Sequence, residues 1–228
     1  MGQAAVVLND LARQTRTMLF LQMLGPGLMF GAVFAIDVDD LTLTVVLCVV
    51  GVAVTVAWSV GVVVWNRRVD RTFKAMLVRA GEELVTGRVV GIPAAGRVHR
   101  RRIARHHPAY LAGTPHPLPP PAVVVVATAL SPSGARRVAA LVPALVGLHS
   151  RKAPVALLLH PTEPEAAVVD DRVTAEQVNA IAHDPRWDTE ALPTDRTVVG
   201  GYLAVAGSAV LGLVVGLGLD LLVVTIAT

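Results

Sequence analysis

A chain of 228 residues with 54% hydrophobic side chains, only 16% charged ones and a mean hydropathy of +0.60 is too apolar for an ordinary soluble domain, whose charged fraction is about 25%. Its single cysteine, Cys48, lies inside an apolar run, which excludes an intrachain disulfide and a zinc-type cysteine cluster and leaves the redox compartment unread. The formal net charge of +3 hides a segregation: residues 67–105 hold eleven Lys and Arg against Asp70, Glu82 and Glu83.

Three apolar stretches, residues 18–36, 41–65 and 198–219 with a weaker continuation to 228, reach the roughly 20 residues needed to cross a hydrocarbon core about 30 Å thick. Arg13 and Arg16 precede the first. Only Asp37, Asp39 and Asp40 lie between the first and second, and Arg67, Arg68, Arg71 and Lys74 follow the second. Counting cations beside the spans places residues 1–17 in the cytoplasm, 37–40 outside, 66–197 in the cytoplasm and the C-terminus outside, in a cell membrane. A cleaved signal peptide is the alternative for the first span, with Val33-Phe34-Ala35 as cleavage site. The run is long for that, and Gly25-Pro26-Gly27 suits a kinked or interrupted membrane helix better.

Beyond Trp65 the pattern changes to that of a small α+β domain. Val69, Phe73, Leu77 and Leu84 recur at near-helical spacing, which predicts a basic helix extension over 66–83 ended by Gly81 or Gly87. Valine-rich runs at 84–92, 122–130, 136–142, 154–160 and 166–169 read as strands, with Ser131-Pro132-Ser133-Gly134 as a hairpin turn. Five short strands over 84–171 predict a small β-barrel, a parallel βαβ layer being the weaker alternative because the strands from 122 onward lie too close for helical crossovers. Thr174-Ala175-Glu176-Gln177 is a capping box opening a short helix that Asp184-Pro185 stops, within a linker over 172–197.

Residues 96–121 pack Arg100, Arg101, Arg102 and Arg105 with His99, His106, His107 and His116, then a proline-rich stretch that cannot sustain ladder hydrogen bonds. A long mobile loop is expected. With Arg67, Arg68, Arg71 and Lys74 these arginines form the candidate lipid- or anion-binding surface, because each cation near an anionic leaflet contributes about 1 kcal/mol. Nucleic acid is the weaker partner, since Tyr110 is the only aromatic near the loop.

In the third span Gly200, Ala204, Ser208, Gly212 and Gly216 recur every four residues toward Asp220, and Gly212 to Gly216 is a GxxxG motif. The stripe serves close packing either within the chain or with a second copy or a partner membrane protein. Asp220 is expected at the outer interface; if buried it needs a partner, and Thr42 and Thr44 are nearest in depth. Gln22 is the corresponding polar group near the inner end of the first span.

No phosphate loop, GxSxG elbow or HExxH is present, and no cysteine accompanies the histidines. No catalytic residue, metal ligand or cofactor is therefore assigned. His160, Glu163 and Glu165 lie in a turn made rigid by Pro161 and Pro164, which favours structure over acid–base chemistry.

The residues Pro154-Val155-Ala156-Leu157-Leu158-Leu159-His160-Pro161, followed by Glu163-Pro164-Glu165-Ala166-Ala167-Val168-Val169-Asp170, resemble the end of the small β-barrel domain of bacterial membrane proteins of unknown function. There a strand leads into an Asp-Pro-x-x-Pro turn and a last short strand; here His160 stands in place of the Asp. The resemblance spans residues 83–171 and implies a barrel fold and a bacterial source, which the Ala/Val/Arg-rich, Lys-poor composition narrows to an actinobacterium. The expectation is an α+β protein with three transmembrane helices and a cytoplasmic barrel inserted between the second and third. It acts as an interaction, scaffolding or regulatory subunit, the alternative being a membrane-bound enzyme or transporter accessory that uses the His/Arg-rich loop.

Overall fold

The structure is a computed structural model that describes residues 16–35, 41–144, 152–193 and 199–227. Arg13, the acidic segment 37–40 and the linker 194–198 lie outside the described residues. In chain order the elements are α1 (Arg16–Ala35), α2 (Leu41–Val85), β1 (Ile92–Ala104), β2 (Ala122–Ser131), β3 (Gly134–Pro143), β4 (Pro154–Leu159), β5 (Ala167–Val169), α3 (Ala175–Ala182), α4 (Arg186–Thr189) and α5 (Val199–Ala227). They divide into a helical unit within residues 9–69 and 195–228 and a barrel unit within residues 70–194.

In the helical unit α2 and α5 contain stretches long and apolar enough to cross a membrane, while the apolar part of α1, Leu19–Val33, is shorter. Pro26 lies inside α1, which runs on through Gly25-Pro26-Gly27, so of the kinked or interrupted helix expected the interruption is absent. One side of α1 meets α2, Gly25 facing Gly51 and Thr55 and Ala32 facing Leu47. These pairs run in opposite senses along the two helices, which are therefore antiparallel. The other side meets α5 with Phe20 at Gly212, Leu24 and Gly27 at Gly216, and Gly31 at Asp220. Numbers rise together here, so α1 and α5 are parallel. Gly212 and Gly216 thus pack against α1 of the same chain, backbone against backbone, as small-residue motifs allow.

The barrel unit is a five-stranded sheet in the order β3-β2-β1-β4-β5, antiparallel throughout. Its long first strand pairs with β2 along one edge and with β4 along the other, turning through a bulge between Val98 and Arg100. A parallel bridge from Ala139 to Ala166 brings the two sheet edges together. The sheet is nearly closed, with the connectivity of an OB-type Greek-key barrel. Small side chains fill the narrow interior, among them Val98, Val125, Ala127, Val138, Ala140, Leu157 and Val169. The capping box appears as expected: Thr174 Oγ1 accepts from Gln177 N at 3.3 Å, and Gln177 Oε1 accepts from Thr174 N at 2.8 Å.

Two boundaries depart from the sequence reading. Residues 84–92 do not form a strand, because Leu84 extends the buried stripe of Val69, Phe73, Leu77 and Ala80 and carries α2 to Val85. Gly81 lies inside that helix, and Gly87, at φ 70°, adopts the left-handed conformation just past its end. Nor is 96–121 a mobile loop. Its first part is the second half of β1, which pairs with β2 from Arg100 to Ala104 as the ladder continues past the bulge. The remainder is fastened: Ala109 and Leu118 exchange hydrogen bonds at 3.0 and 2.8 Å, and Gly113 N donates to Asp171 Oδ1 at 2.6 Å. Tyr110 N donates to Leu141 O of β3 at 2.8 Å and Ala112 N to Val169 O of β5 at 3.0 Å. The segment between β1 and β2 therefore bridges both edges of the barrel.

Candidate functional site

The second half of β1 and the start of the barrel unit's share of α2 supply the candidate cationic surface. Arg71, Arg101 and Arg105 are exposed; Lys74, Arg100 and Arg102 are half-buried. Between Arg101 and Arg105 stands Ile103, 67% exposed although its register partner Val123 is buried. Lys74 Nζ pairs with Asp70 Oδ2 at 2.6 Å, one turn earlier on the same helix.

His107, in the turn after β1, joins the two basic segments. Its pKa is pushed below the ordinary imidazole range by burial and then by the charge of Lys74, with Asp70 opposing and His106 adding to the shift. Lys74 and the end of β1, about 30 residues apart in sequence, are thus electrostatic neighbours. Arg67 and Arg68 are exposed on the preceding turn of α2, in the helical unit.

The sign of the His107 shift gives a pH dependence. Because the folded state holds this imidazole's pKa below its unfolded value, the unfolded chain takes up the proton first. The stability of the folded state is then unaffected above about pH 7 and falls as pH drops through about 6.5. Thermal unfolding of the detergent-solubilised full chain should show the midpoint of wild type dropping further than that of His107→Gln between about pH 7 and about pH 5.

The opposite corner of the barrel contains a polar cluster whose roles the sequence did not show. His160 is 1% exposed and follows β4 directly. Its Nδ1 accepts the backbone N–H of Glu163 at 3.1 Å and of Thr162 at 3.4 Å, with Thr162 Oγ1 at 3.2 Å. The network leaves the proton on Nε2, which donates to Glu83 Oε2 of α2 at 3.0 Å. One turn earlier Arg79 pairs with Glu163 of the same turn. The Tyr110 ring lies against Gly81, where a Cβ would stand 2.7 Å from its Cδ2, and Leu84 reaches Gly91 and thereby the start of β1. The end of α2 is thus tied to the β4–β5 turn and to the β1–β2 segment.

These ties cover a face that OB-type barrels commonly use for ligands, the outer side of β2 and β3 with the β1–β2 and β4–β5 loops. Val124, Val126, Ala139 and Leu141, which point away from the interior residues, are all at most 4% exposed. Tyr110, the aromatic nearest the arginines, is 2% exposed and offers no stacking platform.

Arg97, which the sequence reading passed over, holds the other flank. Its guanidinium lies 4.4 Å from the Trp187 ring centroid and donates to Ala182 O at 2.7 Å, pinning α3 and α4 to β1. A single Trp in a short polar segment, Asp184 to Glu190, was the available signal.

Asp220 is not turned outward as expected. It is 0% exposed, its Cγ would stand 2.6 Å from a Cβ at position 31, and neither carboxylate oxygen has a hydrogen-bond partner among the described residues. Neither Thr42 nor Thr44 is its partner; the absent side chain of Gly31 makes the room. In α5 Ser208 Oγ donates to Ala204 O at 2.9 Å, within its own helix. The surroundings of Gly200 lie outside the described residues, and Gln22 of α1 is exposed.

His99 sits at the β1 bulge, His106 and His107 in the following turn, His116 in the proline-rich segment and His160 beneath α2. Among the described residues no three metal-ligating side chains come together. What fold and site define is an α+β chain with a nearly closed five-stranded barrel and two apolar helices of membrane-spanning length. No protein family, curated protein or solved structure matches the chain.

Proposed function

We propose that this chain is a three-span protein of a bacterial plasma membrane that presents its barrel at the cytoplasmic surface as an interaction or scaffolding subunit of a larger assembly. In this reading α1, α2 and α5 all cross the bilayer, residues 1–17 and 66–197 are cytoplasmic and the C-terminus is external. What supports it is the pair of apolar helices of membrane-spanning length, α2 and α5, in a chain whose β1 and following turn present exposed Arg101 and Arg105 as a basic surface. Such a surface suits anionic lipid headgroups, and the succession of antiparallel and parallel contacts around α1 suits three successive crossings. The resemblance of 83–171 to the barrel domains of bacterial membrane proteins points the same way. Packing of α1 against both other helices favours a retained first span over a cleaved signal peptide.

Labelling with an impermeant maleimide tests the topology. In a Cys48→Ser background, Asp39→Cys should react in intact cells and Ser133→Cys only after permeabilisation. Labelling of Ser133→Cys from outside would invert the orientation and remove the cytoplasmic reading.

A further inference from the structure

Asp220 is the one charged side chain of α5 and lies inside its apolar stretch Ala206–Val223. It is fully buried, yet no hydrogen-bond donor reaches either carboxylate oxygen among the described residues. The room it fills depends on α1: a Cβ at position 31 would stand 2.6 Å from Asp220 Cγ and would also strike Oδ2, so only glycine there admits the carboxyl. Nor does a cation compensate it. The one charged residue of α1, Arg16, precedes Gly31 by roughly 22 Å of helix rise, and in α5 the other titratable group, Tyr202, precedes Asp220 by roughly 27 Å. On the other side of α1, α2 bears no charge from Leu41 to Trp65, and its Cys48 packs beside Leu47 and Ala32. Asp37, Asp39 and Asp40, which follow the described end of α1, are acids themselves.

An ionised carboxylate among apolar groups, without donor or counter-ion, is so costly that the group takes up a proton instead. We propose that Asp220 is a proton-binding site of the helical unit: as a neutral acid it seats in the gap at Gly31 and lets α1 and α5 close, and release of the proton drives the two helices apart at this level. Other cations fit the site poorly. A metal ion needs several oxygen ligands, and no three metal-ligating side chains come together among the described residues. A basic side chain of a partner protein has no path to a carboxyl without exposed surface. One turn earlier Gly27 and Gly216 meet backbone against backbone, so no side chain there can adjust when the carboxyl becomes charged. The proposal adds a ligand to the membrane reading and rests on it in one respect, that lipid rather than water surrounds the helices.

Infrared spectroscopy of the full chain in a maltoside detergent, which has no ester carbonyl, provides the test. Ordinary carboxyls are ionised at about pH 7, so wild type should show a protonated-carboxyl stretch that is lost in Asp220→Asn. Asparagine has the shape of the neutral acid, and the variant should therefore keep the unfolding midpoint of wild type. Raising the pH should remove the band from wild type, and amide hydrogen exchange at residues 27–31 should then become about tenfold faster than in Asp220→Asn at the same pH. A wild-type chain without the band would mean an ionised carboxylate, and an Asp220→Asn midpoint far below wild type would mean an ionic partner for it; either overturns the site. Equal exchange in the two chains once the band has gone would overturn the coupling to helix packing. A chain that is folded and soluble without detergent would overturn the membrane reading, and the band would still decide where the proton sits.

Discussion

Replacing Gly216 with valine should separate α5 from α1. A Cβ at this position would lie 2.9 Å from Gly27 Cα and 2.9 Å from Leu28 N, and would also strike Leu24 O. These obstacles are backbone atoms, so no side-chain rotation relieves them and the helices must move apart. Overpacking of this kind costs roughly 1–3 kcal/mol and more where the backbone cannot yield. In lipid the loss is not recovered elsewhere, because helices associate there through close packing rather than by escaping water. A drop in the unfolding midpoint of the detergent-solubilised chain, read by circular dichroism, should accompany Gly216→Val. Gly218→Val is the control: a Cβ there meets nothing within 4 Å, so the midpoint should stay near wild type. Equal losses in both variants would mean that helix propensity, not the α1–α5 contact, decides the result. Gly31→Val should repeat the effect of Gly216→Val by colliding with Asp220.

Which parts of this architecture were readable from sequence follows from how local their causes are. The β2–β3 hairpin and the Thr174 cap depend on residues within a few positions of one another, and both occur where the sequence places them. The end of α2 was misread because Leu84 and Val85 serve equally well as the last turn of an apolar helix stripe or the first pair of a strand; what decides is packing on Gly91, not visible in the local pattern. The second half of β1 was hidden for a different reason. Its run of one histidine and three arginines, His99 to Arg102, breaks the usual alternation, and the bulge between Val98 and Arg100 shifts which face each side chain takes. One available signal was overlooked. Val123 to Val126 is a continuous apolar run rather than an alternating one, the pattern of a strand covered on both sides, and Val124 and Val126 are as buried as the residues facing inward. The small-residue stripe of α5 was legible as a packing face, but whether it met its own chain depended on α1, nearly 190 residues earlier. In the candidate surface the cations were all identifiable; Ile103 and the link through His107 required the fold.

The His160 cluster carries the second large effect, because one imidazole does both the turn-capping work open to a short acceptor such as aspartate and a second task. An aspartate at that position would cap the turn by accepting backbone N–H groups two and three residues on. Nδ1 of His160 does this with Thr162 and Glu163, and the imidazole is long enough for Nε2 to reach Glu83 as well, 77 residues away. His160→Leu should cost about 2–4 kcal/mol, since it leaves two part-buried N–H groups without their acceptor and the Glu83 carboxylate without its donor. Restoring only half of the arrangement separates the two contributions. His160→Asn keeps an acceptor for the turn and should recover part of the loss, roughly 1–2 kcal/mol. The further variant Glu83→Gln alone should leave the turn intact and weaken only the tie to α2. Thermal unfolding ranks the variants, and hydrogen exchange at residues 79–85 reports the tie itself, rising in Glu83→Gln and His160→Asn alike. Should His160→Asn match His160→Leu in stability, the turn would not depend on Nδ1, and the histidine would matter through Glu83 alone.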